Sequence, residues 1–301
     1  MIKDLETDNA LLKSMENPSE IDRRAGAVHL LRDLIRERLG LALNHSEGEA
    51  FIVNRLADRV KQKGCESLLE YYYLLMSNGA EEEWRHVMAA FAKSKSGFWR
   101  HQAAVRILVD ALPRLLSMCG DKPLLIWSAS CSTGEEPLSI AIALNEAGWF
   151  ERAQIEIRAS DANHTAIERA ALGAYPEQKV QVLDAKIRDR YFKREQDGWR
   201  VASTLHSRIQ WRVANIMNSS EVADLAGSHV IFCRNVFIYF SGHAICKTLT
   251  LFGRCMPPGA YLFSDGGEFF TTLVASSKLF APLNVKESEV WIRRDITALD
   301  Q

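Results

Sequence analysis

A short run of small residues followed by two glutamates is the first feature of this sequence that could do chemistry. Residues 130–136 spell SCSTGEE and follow the apolar stretch LLIWSA at 124–129. Small side chains let a ligand approach the backbone, and Gly134 permits a turn that other residues resist. A phosphate-binding loop of the GxxxxGK[ST] type would carry a lysine or more glycines, and neither occurs here. We expect Glu135 and Glu136 to face a cationic ligand, such as a methionine-derived cofactor, unless they only complement a helix N-terminus.

Polar residues also follow three further apolar runs. Asp161 ends IEIRASD, where a carboxylate can accept hydrogen bonds from ribose hydroxyls or can cap the following helix. Asn215 follows IQWRVA and by itself is more typical of a turn, although it could reach an adenine edge or a ribose. Arg234 and Asn235 come directly after VIFC. Since ligands of doubly wound folds bind outside the carboxyl ends of the strands, these residues are candidates for one crevice.

The elements that would position these residues begin near residue 120. We predict strands at 124–130, 155–160, 209–213, 230–233, 260–263 and 290–293. The runs LLIWSAS and VIFC are apolar without alternation, as in parallel strands covered on both faces. Helical stretches after the first, second and fourth strands complete a βαβ rhythm, which predicts a doubly wound α/β sheet. Residues 189–213 interrupt this rhythm, and DG at 197–198 before the alternating WRVAST predicts a small hairpin insert.

The first part of the chain has helical periodicity throughout. We predict helices at about 27–38, 49–63, 66–77, 80–92 and 99–118. The sequence therefore predicts a helical N-terminal domain over 1–92, a linker and connecting helix over 93–120, and a ligand-binding domain over 121–301.

Bulk properties narrow the classes of function. The chain has 301 residues and a formal net charge of -1, so nothing draws it towards nucleic acid or an anionic membrane. Its N-terminus is polar, and no apolar run approaches the roughly 20 residues of a membrane span. The six cysteines lack a CxxC pair, which argues against a zinc or disulfide framework. We expect a cytoplasmic protein with reduced thiols, no direct membrane insertion and no nucleic-acid partner.

Two strings in this sequence resemble the diagnostic motifs of the CheR-type chemotaxis-receptor methyltransferases. They are CSTGEEP at 131–137 and FCRNVFIYF at 232–240. The similarity covers residues 24–295 and includes ASDAN at 159–163, GAY at 173–175, RYF at 190–192, RLADR at 55–59 and SGFWR at 96–100. It implies a class I S-adenosylmethionine-dependent methyltransferase domain behind an all-helical domain. The expected activity is protein-glutamate O-methylation, giving methyl esters on the cytoplasmic domain of a chemoreceptor or related signalling receptor.

The resemblance also implies roles for individual residues. Cofactor contacts are expected at Ser94, Ser96, Arg100, Glu135, Asp161, Asn215, Ile216, Asn235 and Val236. Among these, Glu135 would meet the amino group of S-adenosylmethionine or of the product S-adenosylhomocysteine, and Asp161 the ribose. Arg100 and Tyr239 are the expected catalytic residues, because Arg100 would orient the incoming carboxylate and Tyr239 would assist by hydrogen bonding. We expect neither a general base nor a metal, since a carboxylate is already ionised near neutral pH.

A basic helix is expected to dock the substrate protein. Arg55, Arg59 and Lys63 share one helix face, and the resemblance assigns that face to docking. Without the family a solvated surface would be the preferred interpretation. The insert at 193–208 is short beside the β-subdomain with which some members grip a receptor's C-terminal peptide. We therefore predict that recognition depends on the helical domain.

Two alternative functions stay open. One is a methyltransferase for nucleic acid or a small molecule, which the absence of a DPPY-type tetrapeptide and the near-neutral charge disfavour. The other is an S-adenosylmethionine-binding regulator whose helical domain only recruits a partner.

Overall fold

A computed structural model describes residues 18–43, 48–92, 96–283, 285 and 288–295. The described residues form two compact units. The first contains those up to Glu37 together with Leu43–Phe91, and the second contains Arg38–Ala42 and the described residues from Ala92 onwards.

The first unit is built from helices. They are α1 (Pro18–Leu39), whose last two residues belong to the second unit, α2 (Gly48–Gln62), α3 (Leu68–Met76) and α4 (Glu81–Phe91). Leu31 and Ile35 of α1 and Leu56 of α2 have no exposed surface, as their helical spacing predicts. The Trp84 indole is also buried and donates a hydrogen bond to the Leu75 carbonyl (3.0 Å). Four of the predicted helices are thus present, with α1 beginning nine residues before its predicted start at 27.

The second unit is organised around a seven-stranded sheet. Its strands are β1 (Leu124–Ala129), β2 (Ile155–Asp161), β6 (Ile209–Val213), β7 (Val230–Cys233), β8 (Tyr261–Ser264), β9 (Phe280–Leu283) and β10 (Glu289–Arg293). The order across the sheet is β6-β2-β1-β7-β8-β10-β9. Neighbours from β6 to β8 are parallel, whereas β10 runs antiparallel to both β8 and β9. The six predicted strands are all present, and β9 is an additional edge strand.

Helices and short turns of helix connect these strands. They are α5 (Gln102–Ser117), α6 (Glu135–Glu146), α7 (Trp149–Arg152), α8 (His164–Leu172), α9 (Glu177–Val180), α10 (Ala185–Tyr191), α11 (Ser203–His206), α12 (Ser219–Ala226), α13 (Gly242–Cys255), α14 (Gly267–Ser277) and a 3-10 turn at Phe237–Tyr239.

Apolar side chains cover both faces of the sheet. Ile126 of β1 packs in one buried cluster with Leu108 of α5 and Leu138 of α6. The next residue, Trp127, packs in a second cluster with Phe252 of α13. Alternate residues of a strand point to opposite faces, so a strand without polar alternation must be covered on both. The doubly wound α/β prediction is confirmed.

A second, three-stranded sheet contains the hairpin expected at 189–213 and adds one further strand. Its strands are β3 (Ala174–Tyr175), β4 (Phe192–Glu195) and β5 (Gly198–Val201), in the order β3-β5-β4. The β4–β5 hairpin is present, with Glu195 paired to Gly198. The second strand of the hairpin ends at Val201, and residues 203–204 begin α11.

Two further observations concern the cysteines and the lengths of the apolar helices. All six cysteines are unpaired thiols. Within the described ranges, no helix combines the length and apolar character needed to cross a membrane.

Candidate functional site

The loop after β1 has a strained backbone. Ser130 and Ser132 have φ angles of 59° and 52°, and Gly134 has a φ of 91°. This left-handed region costs a residue with a Cβ atom about 1–2 kcal/mol. A Cβ atom on Gly134 would also lie 2.8 Å from the Trp211 ring, so the loop requires glycine there. Strain of this kind is typical of loops that hold a ligand.

Asp161, at the end of β2, anchors this loop. Its carboxylate accepts hydrogen bonds from the backbone amides of Ser132 and Asn163, both at 2.8 Å. Burial raises the pKa of the Asp161 carboxyl above its usual value, and the two amide bonds only partly oppose that effect. The helix-capping role that the sequence also allowed belongs to Asn163, whose side chain accepts from the Thr165 amide. Asp161 is thus a half-buried carboxylate at a strand tip.

Glu135 begins α6 and has no exposed surface. Thr133 donates a hydrogen bond to its Oε2 atom at 2.7 Å, and the Lys179 ammonium lies 2.8 Å from its Oε1 atom. Lys179 and Oε1 are not aligned as donor and acceptor, so Oε1 has an ion-pair partner but no hydrogen bond within the described part of the chain. Lys179 donates instead to the Ser96 carbonyl. Because buried polar atoms are normally hydrogen-bonded, Oε1 is an acceptor that suits an incoming cationic donor.

The neighbouring Glu136 has a different environment. Its Oε1 atom accepts a hydrogen bond from the Ser128 hydroxyl at 2.6 Å. Burial raises the pKa of the Glu136 carboxyl to about 7, although the Ser128 bond and the charge of Arg234 act in the opposite direction. Glu136 therefore changes its protonation state near neutral pH.

The turn after β6 carries Asn215 and Ile216. Both ends of the Asn215 side chain are engaged, since Oδ1 accepts from the Met217 amide (3.0 Å) and Nδ2 donates to the Arg38 carbonyl (2.9 Å). The Asn215 backbone amide donates to Glu221 at 2.7 Å. Ile216 is buried. The Asn215 side chain thus shapes the turn that presents Ile216.

Asn235 and Asp265 connect the ends of β7 and β8. Asn235 has a left-handed φ of 57°, and both its backbone amide and its side-chain amide donate to the Asp265 carboxylate. The Arg234 guanidinium lies 3.7 Å from the same carboxylate and also donates to Ser288. Val236 is buried. These contacts hold the residues that follow β7 in one arrangement.

His101 joins this group without having been singled out in the sequence. Its Nε2 atom lies 3.0 Å from Asn235 Oδ1. Burial lowers the pKa of the His101 imidazole, and the nearby positive charges of Arg234 and Arg100 act in the same direction. These effects favour the neutral imidazole and outweigh the opposite contributions of Asn235 and Asp265. Its position next to Arg100, directly after SGFWR, was the available sequence signal.

The segment that carries Arg100 is fixed by aromatic packing. Phe98 is buried and packs edge-on against Tyr175 and Phe192, with ring centroids 5.0 Å and 5.3 Å apart. Edge-to-face pairs of this kind stabilise by about 0.5–1.5 kcal/mol beyond their buried area. Two residues beyond this anchor, the Arg100 side chain is exposed.

The remaining predicted residues of this unit differ in their surroundings. Ser96 is half-buried and is held through its carbonyl by Lys179. Tyr239 is half-buried in the 3-10 turn, where its carbonyl accepts from the Ala42 amide at 2.7 Å. Ser94 lies outside the described residues.

In the helical unit, Arg55 lies on the surface of α2. Its guanidinium is 5.0 Å from the centroid of the Phe51 ring and donates to the Ala90 carbonyl. Arg55 thus combines an exposed charge with a fixed position.

Arg59 and Lys63 have a structural partner in the same unit. Arg59 makes two contacts with the carboxylate of Glu83, at 3.0 Å and 2.5 Å, and Lys63 lies 3.2 Å from it. The Tyr71 hydroxyl donates to the same carboxylate at 2.6 Å. Burial alone raises the pKa of Glu83, but the hydrogen bonds from these three residues prevail and lower it to about 2. Neutralising a buried carboxylate is therefore one role of Arg59 and Lys63, and docking stays a prediction for them.

The sheet order gathers the candidate residues of the second unit along one edge. Asp161 ends β2, whereas Asn215, Glu135 and Asn235 follow β6, β1 and β7. These four strands are consecutive neighbours. Because these strands are parallel, their carboxyl ends meet at the same side of the sheet. The structure adds Lys179 to this group, from α9.

The residues along this edge fit S-adenosylmethionine. Glu135 Oε1 and Ser132 Oγ are both buried and lack a hydrogen-bond partner among the described residues. A carboxylate acceptor suits the cofactor's ammonium group, and a second carboxylate at a strand tip suits ribose hydroxyls. No group of three or more His, Cys, Asp or Glu side chains suited to a metal ion occurs in the described ranges. The fold and the edge together have the form of a class I S-adenosylmethionine-dependent methyltransferase.

Comparison with known families gives the same class. Residues 94–281 match the CheR methyltransferase SAM-binding domain, and residues 27–92 match the CheR methyltransferase all-alpha domain. This chain belongs to the CheR methyltransferase family. The predictions of fold class, of a methyltransferase and of S-adenosylmethionine as cofactor are confirmed.

Individual relatives are similar over most of the chain. A chemotaxis protein methyltransferase from Klebsiella aerogenes is 30% identical over 81% of this chain and 83% of that protein. Chemotaxis protein methyltransferase 2 from Vibrio cholerae is 29% identical over 79% and 83%. A probable biofilm formation methyltransferase, WspC, from Pseudomonas aeruginosa is 31% identical over 78% of this chain, which spans only 55% of that longer protein.

Proposed function

We propose that this chain transfers a methyl group from S-adenosylmethionine to glutamate side chains on the cytoplasmic domain of a chemoreceptor or related signalling receptor. The observation that carries the proposal is the match of both regions to the two CheR domains. A class I fold alone hosts many methyl acceptors, so the helical region is the informative part. The names of the chemotaxis relatives support a receptor as the acceptor. Such a substrate implies a bacterial, cytoplasmic enzyme.

Cofactor binding is proposed to use the carboxyl edge of the sheet. Glu135 binds the ammonium group, because its Oε1 atom is buried and lacks an aligned donor. Asp161 accepts from the ribose, with its carboxylate already oriented by two backbone amides. Ser94, Ser96, Asn215, Ile216, Asn235 and Val236 complete the proposed set of contacts.

The chemistry requires positioning more than acid–base catalysis. When bound, S-adenosylmethionine supplies an electrophilic methyl group. A glutamate side chain with a pKa of about 4.3 is already a nucleophile at neutral pH, so no general base is required. Arg100 is proposed to orient the carboxylate and Tyr239 to assist by hydrogen bonding. Holding two reactants in line can supply about 7–11 kcal/mol of the barrier reduction, which makes this orientation the main contribution of the protein.

The test of the activity measures incorporation of labelled methyl groups into a receptor cytoplasmic fragment. Wild-type protein should form base-labile methyl esters on glutamates. Arg100→Ala should lower the rate strongly, whereas Arg254→Ala, which removes an exposed arginine on α13, should not. Label appearing in nucleic acid or a small molecule but not in the receptor fragment would reject the proposed acceptor. Equal rates for Arg100→Ala and wild type would reject the role of Arg100.

Docking is proposed to use the exposed face of α2, with Arg55 as its most informative residue. Arg55→Glu should slow methylation, and Lys61→Glu is the matched control, since it makes the same charge change elsewhere on the helix. Raising the salt should slow wild type, because charge steering is screened over about 10 Å at 0.1 M.

A receptor fragment without its C-terminal tail separates this docking from peptide binding at the β4–β5 hairpin. The docking proposal expects little loss on removal of the tail. If removing the tail abolished methylation while Arg55→Glu had no effect, the proposal would be wrong.

A further inference from the structure

Lys179 stands beside the carboxylate proposed to bind the cofactor's ammonium. Its ammonium is 2.8 Å from Glu135 Oε1 and donates to the Ser96 carbonyl. The motifs in the sequence gave no reason to select it. Removing a charged lysine from water costs free energy, so a lysine directed at a buried carboxylate requires an explanation.

The neighbours of Lys179 fix its position. The buried Tyr175 precedes α9 and donates from its hydroxyl to the Thr133 carbonyl at 2.8 Å. Val180 follows Lys179 directly and has no exposed surface. Since the chain is anchored on both sides, the Lys179 side chain is directed towards Glu135 while about a third of it, 35%, stays exposed.

We propose that Lys179 and Glu135 together form a subsite for the zwitterionic amino-acid end of S-adenosylmethionine, with Lys179 binding the carboxylate. The inference rests on the proposed assignment of Glu135 to the ammonium. A Glu⁻/Lys⁺ pair is the mirror of an NH₃⁺/COO⁻ pair, so the four charges alternate when the ligand is bound. Oε1 then gains the aligned donor that it lacks. Lys179 exchanges contact with Oε1 for contact with the ligand carboxylate, and the buried site keeps a balanced charge.

The alternative is that Lys179 only occupies the ammonium position and competes with the ligand. The two hypotheses predict opposite changes in ligand affinity when Lys179 is replaced. A competitor's removal tightens binding, whereas removal of a carboxylate ligand weakens it, and only for ligands that carry the carboxylate.

The experiment uses titration calorimetry on the intact chain with two probes. They are S-adenosylhomocysteine and its decarboxylated analogue, which keeps the amine and lacks the carboxylate. A hydrogen bond to a charged group typically changes affinity by about tenfold or more. Because Lys179 is partly exposed, we expect wild type to prefer S-adenosylhomocysteine by about tenfold or more through this residue.

Lys179→Gln should lose about that factor for S-adenosylhomocysteine and almost nothing for the decarboxylated analogue. Lys179→Arg should restore the preference, and Lys186→Gln, an exposed change on α10, should behave as wild type. A loss of affinity shared equally by both probes would show that Lys179 only holds the Ser96 segment, and would overturn the proposal. So would tighter binding by Lys179→Gln, or an unchanged ratio. No methyl acceptor is present, so failure of the receptor proposal cannot produce any of these results.

Discussion

Replacement of Arg59 by methionine should destabilise the helical unit through Glu83. The Glu83 carboxylate is 2% exposed and depends on Arg59, Tyr71 and Lys63 for all the contacts described above. Methionine keeps most of the apolar stem of arginine and removes the guanidinium. The variant therefore leaves a buried charge with two of its three partners.

The magnitude follows from those remaining partners. Removing one member of a fully buried ion pair costs about 3–5 kcal/mol. Arg59 is 19% exposed, and Lys63 and Tyr71 stay in contact with Glu83, so the cost is smaller. We expect a loss of about 2–3 kcal/mol at pH 7. Adding Glu83→Gln removes the uncompensated charge, and the double variant should be less destabilised than the sum of the single changes.

The pH dependence of stability gives an independent test of the role of Glu83. The pKa of Glu83 is about 2 in the folded state, well below the ordinary value of 4.5. A depressed carboxyl pKa contributes stability above the ordinary value and loses it as the pH falls towards the folded value. Wild type should therefore lose up to about 3 kcal/mol between pH 4.5 and pH 2 through this residue. The Arg59→Met variant should lose less stability over the same pH range, because without the Arg59 guanidinium the pKa of Glu83 is lowered less.

Urea unfolding followed by circular dichroism measures both effects on the intact chain. Since two units can unfold separately, the transition of the helical unit must be resolved before free energies are compared. A stability for Arg59→Met within 0.5 kcal/mol of wild type, the usual scatter for surface substitutions, would refute the reasoning. Full additivity in the double variant would refute it as well.

Three other changes test the second unit. Asp161→Ala should weaken S-adenosylhomocysteine binding by about 1.5–3 kcal/mol, and calorimetry showing unchanged affinity in a folded variant would reject the ribose assignment. Gly134→Ala should destabilise the fold by at least about 1–2 kcal/mol, because it adds left-handed strain to a 2.8 Å clash with Trp211, and unfolding in urea measures this. Glu136→Gln should be more stable than wild type at pH 8 but not at pH 4.5. The raised pKa of Glu136, about 7, makes wild type lose stability as the pH rises from 4.5 to 8. If the melting temperatures of wild type and Glu136→Gln changed equally over this pH range, the raised pKa of Glu136 would be contradicted.

The sheet was predictable where burial leaves a simple pattern. The strands β6 and β7 begin and end at their predicted residues, since apolar runs between polar turns admit few other structures. The edge strand β9 was missed, because it contains Pro282 and its pairing with β10 depends on a distant segment. The two-residue β3 was missed because a bridge of that length has no sequence period.

The positions of the candidate residues were predictable to the same extent, whereas their roles stay predictions. The places of Glu135 and Asp161 at the edge of the sheet follow from the strand ends that precede or contain them. Lys179 and His101 were not identified, since the first reaches Ser96 across 83 residues and the second reaches Asn235 across 134. Likewise Arg59 and Lys63 resembled a solvated face until Glu83, 24 residues beyond Arg59, supplied their partner. Local spacing predicts an element and its faces, but it does not predict which charges meet across the fold.

Two buried glutamates in this chain differ in how fully their carboxylates are hydrogen-bonded. This difference indicates which of them contributes to stability and which is available to bind a ligand. Both Glu83 oxygens have aligned donors, and the lowered pKa of that carboxyl follows from them. Glu135 is equally buried and has a lysine beside it, yet its Oε1 atom lacks an aligned donor in the described structure. A fully bonded carboxylate gains nothing from a ligand, whereas an unsatisfied one recovers its lost hydration only when a donor arrives. By this argument the basic residues around Glu83 contribute first to folding. Lys179, beside Glu135, is proposed to belong to the cofactor site, and a charge-neutral substitution at Glu135 should cost more in ligand affinity than in stability.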